Sequence, residues 1–258
     1  MGEKVFMEKT KINKKLNDSI KSVHPWRLCP YGEHWVRTHE MRVPPSKTHP
    51  EGSVTIRHEH CALNPSGKDQ LYPDEILEIS QKNFSKVKIK PCSNDLGFKD
   101  KGKLYDDLIA GWVEYWNDVL QPDVPLEPNL IKALIASESG FDPNLIADKK
   151  NSNSARGLMQ ILNISRKVLD GYKNDIKDHL ISATKADLNS PNINICAGIR
   201  WLFEKKRLAS HNLKKNASWE EAIWEYKSLK LLKTAEEKEK IKGIFMKYYK
   251  ELQQCKQV

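Results

Sequence analysis

The stretch Ala133–Ile161 reads ALIASESGFDPNLIADKKNSNSARGLMQI, and its first half predicts a helix with a sharp end. The apolar residues before Glu138 continue a helical pattern that starts near Asn129. Gly140 suits the position just past a helix end, because glycine adopts the left-handed conformation at little cost. Pro143 prevents the helix from continuing. Glu138 is therefore expected in the last turn of a mostly apolar helix.

A carboxyl group in that position is a candidate for acid catalysis. Burial at the end of an apolar helix makes ionisation costly, and a carboxyl group that keeps its proton suits a general acid. The sequence therefore makes Glu138 the candidate catalytic residue. The alternative that spacing alone leaves open is a Glu138 side chain that simply points to solvent.

Helical spacing dominates the second part of the chain. After Lys103, apolar residues recur every three or four positions, as on one face of an amphipathic helix. The segment that starts at Gly157 is also expected to open a helix. Further helices are predicted near residues 73–84, 104–119, 154–172, 192–209, 218–232 and 235–254.

Residues 1–102 have a different composition, rich in Pro, His and Cys. Their prolines punctuate the chain too often for long helices. Short strands are expected at Trp35–Arg37 and Ser53–Arg57. The sequence therefore predicts a mainly α protein with two domains: a small irregular α+β domain over residues 1–102 and a helical domain over residues 103–258.

The cysteines of the first region leave alternatives open. Cys29 and Cys61 lie near histidines such as His34, and these residue types can bind zinc, although no clean paired spacing is present. A disulfide among Cys29, Cys61 and Cys92 is the second alternative and requires an oxidising compartment. Free thiols are the third. Cys196, inside an apolar helix, is expected to serve packing alone. No metal site is assigned and no cofactor is predicted.

Composition excludes some classes of protein and favours one kind of partner. Charged residues make up 30%, the mean hydropathy is −0.65, and no apolar run approaches the roughly 18 residues of a membrane helix. The net charge of +9 favours an anionic partner. Basic residues form no stripe, which argues against nucleic acid. Met1–Lys15 lacks the apolar stretch of a secretory signal, so synthesis in the cytoplasm without a cleaved signal is expected.

Two motifs in the central stretch carry a family resemblance. ESGFDP at 138–143 and ARGLMQ at 155–160 together resemble the soluble lytic transglycosylase family, also called the SLT or goose-type-lysozyme-like group. Pro191–Leu202 and Ala222–Tyr226 are similar to two further family segments, and the resemblance covers roughly residues 104–252. It implies a lysozyme-like helical fold and cleavage of the glycan strands of peptidoglycan.

The resemblance implies a reaction with one carboxylate. Glu138 would protonate the oxygen of the β-1,4 bond between N-acetylmuramic acid and N-acetylglucosamine. It would then take the proton of the muramyl C6 hydroxyl, which closes a 1,6-anhydro ring. Hydrolysis normally needs two carboxylates, and no motif singles out a second one. The possible second carboxylates are Asp142, Asp148, Asp170, Asp175 and Asp187.

The resemblance also implies the substrate-binding residues. They are Ser154, Gly157, Met159, Gln160, Asn194 and Tyr226. Core packing is the alternative for Met159, and Gly198 would permit a close helix approach. Some positions depart from the family pattern and bear on substrate grip and subsite shape. Ser154 stands in place of a frequent Gly and Asn163 in place of Pro. After Tyr226 the family has Asn and a nearby Gly, whereas this chain has Lys227, Ser228 and Leu229.

The first region is similar to segments of secretion-linked antibacterial cell-wall effectors. A wall-cleaving enzyme without a signal would reach the periplasm or cell wall through a secretion system, or as a phage lysin through a holin. Residues 1–102 would then serve delivery, targeting or docking of an immunity or secretion-machinery protein. The alternatives are a hydrolysing muramidase or chitinase on the same fold, and a peptidoglycan-binding module without activity.

Overall fold

The computed structural model describes residues 25–255, and α-helices form most of its regular structure. These residues contain α1 (Pro73–Asn83), α2 (Asp106–Leu120), α3 (Pro128–Ser139), α4 (Asn163–Leu169), α5 (Pro191–Leu213), α6 (Trp219–Tyr226) and α7 (Ala235–Gln253). The predicted mainly helical fold is confirmed. In this part of the chain no helix has both the length and the apolar character of a membrane span. Met1–Lys15 lies outside the described residues.

Helix α3 runs through the core and packs against α2 and α7. Pro128 occupies its first turn, where the missing N–H group costs nothing and the fixed φ suits a helix. The seven residues 130–136 are all buried, so α3 lacks the polar stripe of a surface helix. Each Leu or Ile in this run contributes about 1.5–3 kcal/mol through burial. The core therefore fixes the direction in which the helix end points.

The end of α3 agrees with the sequence prediction. Gly140 follows the last helical residue with φ 57°, and its N–H group donates to Ala136 at 3.2 Å. A Cβ atom at Gly140 would lie 2.9 Å from Cε1 of Phe98. Both the backbone conformation and the close aromatic neighbour thus require glycine here.

Aromatic side chains of α2 fasten it to α5. The indole of Trp112 donates to Asn192 Oδ1 at 2.7 Å, and the indole of Trp116 donates to the carbonyl of Cys196 at 3.0 Å. Both rings are fully buried, so their N–H groups need these partners. Cys196 is a fully buried free cysteine, which confirms its predicted packing role.

Four strands near the start of the described chain form two antiparallel pairs. Strand β1 (Glu33–Val36) pairs with β4 (His60–Leu63), and β2 (His39–Val43) pairs with β3 (Ser53–Arg57). The strand predicted at Trp35–Arg37 lies slightly earlier, while the one at Ser53–Arg57 is confirmed. The pair β2–β3, called the outer hairpin below, is exposed along nearly its whole length.

Contacts cross residue 102 in the hydrophobic core. Strand β5 (Gln70–Leu71) pairs in parallel with β6 (Leu180–Ile181). Leu71 and Ile76 are fully buried in the same cluster as the residues of α3. A division of the chain at residue 102 stays a prediction, and the segments on either side of it share one core.

A buried ion cluster adds to this connection. Arg27 donates from Nε and Nη2 to the two carboxylate oxygens of Glu75, at 2.8 and 2.9 Å, and also pairs with Asp69. Burial raises the pKa of Glu75, and the Arg27 charge works against that rise. His179 Nδ1 lies 3.0 Å from Asp69 Oδ2. The cluster therefore joins residues before α1 to the segment that leads into β6.

The described residues contain two disulfides. Cys29 bonds Cys61, which confirms the disulfide alternative for these two residues. Cys92 bonds Cys255, a pairing that the sequence did not predict. Within residues 25–255, no group of three or more His, Cys, Asp or Glu side chains could hold a metal ion. The zinc alternative is not supported there, because Cys29 and Cys61 are bonded to each other.

Removing the first disulfide is expected to lower the free energy of unfolding. Its cysteines are 32 residues apart, and the entropy of closing such a loop predicts a loss of about 3–4 kcal/mol for Cys29→Ser with Cys61→Ser. Urea denaturation of both proteins under oxidising conditions measures the difference. A loss below about 0.5 kcal/mol would show that the bridge does not stabilise the fold.

Candidate active site

Glu138 lies in the last turn of α3, as the sequence predicts. The hydroxyls of its neighbours Ser137 and Ser139 donate to the carbonyls of Leu134 and Ile135, at 2.9 and 3.2 Å. The hydroxyls of both serines are therefore engaged within their own helix. The Glu138 side chain is 19% exposed, so it presents a carboxyl group at the edge of the apolar core.

A lysine side chain faces this carboxyl group. Lys227 Nζ donates to Glu138 Oε1 at 2.5 Å, and the lysine side chain is only 5% exposed. Lys227 directly follows α6, and its backbone N–H group donates to Ile223 at 2.8 Å. Ser228 then turns the chain with a φ of 53°. The end of α6 thus aims a buried ammonium group at Glu138.

Tyr226 lies beside the same carboxyl group and is anchored to another segment. Its hydroxyl donates to the carbonyl of Met159 at 2.6 Å. Burial raises the pKa of Tyr226 well above its usual value, and the nearby charge of Glu138 raises that pKa further. The hydroxyl therefore keeps its proton and remains a donor across the neutral range.

The segment Arg156–Ile161, called the site loop below, forms a tight bend. Arg156 and Ile161 exchange two backbone hydrogen bonds, at 3.2 and 3.0 Å, which close the loop. Gly157 has a φ of 72° and Gln160 a φ of 47°. Glycine adopts such values freely, whereas a glutamine requires support from its surroundings. The side-chain amide of Gln160 provides this support, because its Nε2 atom donates to the carbonyl of Gly157 at 2.9 Å.

Two predicted helices are therefore wrong in part. The helix expected over residues 154–172 exists only as the short α4, because the two left-handed residues of the site loop interrupt it. The helix expected over residues 218–232 ends at Tyr226, because Ser228 is left-handed. In both cases a backbone turn replaces helix near Glu138.

Asn194 of α5 is fully buried and holds the site loop. Its Oδ1 accepts from the backbone N–H group of Met159 at 2.8 Å. Its Nδ2 donates to the carbonyls of Arg156 and Leu188, at 3.1 and 2.8 Å. A Cβ atom at Gly157 would lie 2.2 Å from this Nδ2 atom. Asn194 was expected to contact the substrate, but its polar atoms are engaged within the protein, so it positions the loop instead.

Met159 and Ser154 are also inside the protein. Met159 is fully buried, and its Sδ atom would lie 2.3 Å from a Cβ atom at Gly198. Core packing, the alternative for Met159, is what the structure shows, and Gly198 permits the close approach that the sequence predicts. The Ser154 hydroxyl accepts from the backbone N–H group of Asp148 at 2.7 Å. Ser154 therefore stabilises a turn in front of the site loop.

The predicted substrate-binding residues fall into two groups by exposure. Gln160 and Tyr226 are partly exposed, and direct contact with a substrate stays a prediction for them. The buried ones are Ser154, Gly157, Met159 and Asn194. The structure thus brings the six residues to one region, but it places most of them behind the surface.

Most of the possible second carboxylates form local hydrogen bonds. Asp142 and Asp148 each accept from the backbone N–H group two residues further along, at 3.0 and 2.9 Å. Asp187 accepts from the N–H group of Thr184 at 2.7 Å, and Asp170 accepts from a side-chain amide. Each of these four carboxylates thus has a hydrogen-bond partner, in a turn for three of them and on another side chain for Asp170.

The ion pair at the site is the feature that sequence reasoning missed. The sequence marks Lys227 only as a departure from the Asn of the family pattern. Its partner Glu138 is 89 residues away in the chain, so no local pattern connects the two. The unusual lysine after Tyr226 was the available signal.

Comparison with known proteins adds a family match. Residues 121–230 match the family model described as the transglycosylase SLT domain. None of the curated proteins matches the chain. Among solved structures, the chain is similar to the 70 kDa soluble lytic transglycosylase of Escherichia coli, with 18% sequence identity and a TM-score of 0.34. The match covers 70% of this chain and 31% of that enzyme, so the chain spans about a third of its length.

The matched range contains Glu138, the site loop, Asn194 and the end of α6. These residues place a partly exposed carboxyl group at the end of a buried helix, beside a loop that bends at a glycine. The match to the transglycosylase SLT domain spans residues 121–230, which is less than half of the chain. The match bears out the resemblance seen in the sequence, and the helical structure of the described residues agrees with the fold that the resemblance implied.

Proposed function

We propose that the chain is a peptidoglycan lytic transglycosylase. It cleaves the β-1,4 bond between N-acetylmuramic acid and N-acetylglucosamine. The observation that carries this proposal is the position of Glu138: the last turn of α3, inside the matched domain, with a partly exposed carboxyl group next to Tyr226. A general acid has to reach its substrate, and this carboxyl group can.

The proposed reaction uses the same carboxyl group twice. The protonated Glu138 gives its proton to the glycosidic oxygen as the bond from that oxygen to C1 breaks. The resulting carboxylate then takes the proton of the muramyl C6 hydroxyl, whose oxygen bonds C1 and closes the 1,6-anhydro ring. The carboxyl group ends protonated, as it began, and no water is consumed.

The other residues of the site have supporting roles in this proposal. Gln160 and Tyr226 border the glycan strand, because they are the partly exposed members of the predicted set. Asn194 and the buried part of the site loop hold Gln160 at its unusual backbone angle. Positioning by such a fixed loop lowers the entropy cost of orienting the sugar.

The setting that we propose is the bacterial cell wall. Disulfides persist in oxidising compartments such as the periplasm, and two are present here. The net charge of +9 favours approach to anionic wall polymers. We include in the proposal an antibacterial role as a delivered effector or lysin. Residues 1–102 would then dock an immunity protein or secretion machinery.

Product analysis is the test of this function. Purified peptidoglycan is digested and its fragments are examined by mass spectrometry, with Glu138→Gln as the inactive control and the exposed Glu236→Gln as the matched one. Fragments with anhydromuramyl ends, one water lighter than reducing ends, are expected. Reducing ends instead would identify a hydrolysing muramidase and contradict the transglycosylase.

The ion pair favours a second candidate, a wall-binding module without activity. Lys227 bonds the proposed catalytic carboxyl group directly, and the domain could retain its fold while it lacks catalysis. Sedimentation with insoluble peptidoglycan separates the two candidates. Binding without any released fragment would support the module.

A further inference from the structure

Lys227 has a close contact with the proposed catalytic group and little contact with solvent. Its Nζ atom lies 2.5 Å from Glu138 Oε1, and its side chain is 5% exposed. An exposed lysine could turn away into water, but a lysine buried to this degree would lose its counter-charge if the pair broke. The pair is therefore a persistent part of the site.

The backbone on both sides of Lys227 keeps it in place. The preceding Tyr226 is anchored through its hydroxyl to Met159 in the site loop. The following Ser228 is left-handed, and the Lys227 N–H group is bonded to Ile223. The ammonium group is thus positioned by α6 and the site loop together.

The two steps of the proposed reaction need different forms of Glu138. The first step needs a carboxylic acid, whereas the second needs a carboxylate. The ammonium group of Lys227, at hydrogen-bond distance, pairs with the charged carboxylate and not with the neutral acid. The pair therefore works against the first step and in favour of the second.

We propose that Lys227 is a positioning residue that holds Glu138 as a carboxylate and thereby limits the rate of the first proton transfer. This inference rests on the proposed function and deepens it. It predicts that an uncharged residue at position 227 makes the enzyme faster. A gain in rate is informative, because mere damage to the fold does not produce one.

The kinetic test compares three variants on soluble glycan strands. Lys227→Asn is expected to raise kcat about tenfold and to leave KM within about twofold. Lys227→Arg keeps the charge and should retain the slow rate of the wild type. Lys230→Asn is the matched control, because Lys230 is 59% exposed and pairs with Glu225, outside the proposed site. An unchanged or lower kcat for a folded Lys227→Asn would overturn the inference.

A second measurement needs no substrate. Water-soluble carbodiimide with an amine labels carboxyl groups through their protonated form, and peptide mass mapping gives the labelling rate of Glu138. The comparison is between Lys227→Asn and Lys227→Arg, because in the wild type the Lys227 amine would itself trap the activated Glu138. The rate is expected to be about tenfold higher in Lys227→Asn than in Lys227→Arg, which keeps the charge, while the rate of the exposed Glu236 is the same in both. An equal rate for Glu138 in both proteins would overturn the inference. If neither protein cleaves glycan and the labelling still rises, the proposed function fails while the role of Lys227 is supported.

Discussion

Glycan cleavage by Glu138→Gln is expected to be about a thousandfold slower than cleavage by the wild type. General acid–base groups contribute roughly 10²–10⁴-fold each, and here one group serves both proton transfers. An amide can neither give up a proton to the glycosidic oxygen nor accept one from the C6 hydroxyl. Release of soluble fragments from purified peptidoglycan measures the loss.

The loss of cleavage should be one of chemistry, measured while the variant is still folded. The amide oxygen that this substitution introduces can still accept a hydrogen bond from Lys227, so the packing of the lysine is kept. Because Lys227 loses its counter-charge, the variant is expected to unfold at a lower temperature than the wild type, so cleavage is compared below the unfolding temperature of both proteins. Glu236→Gln should cleave normally. Undiminished cleavage by a folded Glu138→Gln would remove Glu138 from the mechanism.

Replacing Asn194 with Leu is expected to have the largest effect on stability. The two side chains branch at the same atom, but leucine is bulkier and cannot bond the N–H group of Met159 or the carbonyls of Arg156 and Leu188. A buried polar group left without a partner costs about 1–3 kcal/mol. The three together predict a loss of about 3–5 kcal/mol in the free energy of unfolding.

The same substitution should release the site loop. Cleavage is expected to fall even below the unfolding temperature of the variant, because Gln160 would no longer be held in its left-handed conformation. Urea denaturation gives the stability, and fragment release gives the activity. The exposed His211, on the same helix, provides the control His211→Ala, for which a change within about 0.5 kcal/mol is expected. A similarly small change for Asn194→Leu would show that the hydrogen bonds do not stabilise the loop.

The helix that carries Glu138 could be predicted from sequence, because neighbouring residues alone determine it. An apolar run before Glu138, with Gly140 and Pro143 after it, determines both the helix and its end. Most of the helices around it follow from the spacing of their apolar residues, and apart from the two that end or start at left-handed turns, their bounds lie close to the predicted ones.

The parts that depend on tertiary contacts could not be predicted. A positive φ at Gln160 has no local signature, because the residue type disfavours it and only its surroundings stabilise it. The Lys227–Glu138 pair joins residues from two helix ends that are distant in the chain. Cys255 and Cys92 form a disulfide although they are 163 residues apart in the chain. The number of cysteines alone does not determine which of them are bonded.

The outer hairpin offers a practical handle on the molecule. Its strands contribute little to the core, and its tip, around Lys47, is exposed. Loop tips of this kind tolerate insertions and chemical attachment. A fluorophore or affinity tag placed there would report on the proposed binding to cell walls without touching the helices around Glu138. An exposed hairpin with few buried residues is thus a suitable place from which to observe the protein at work.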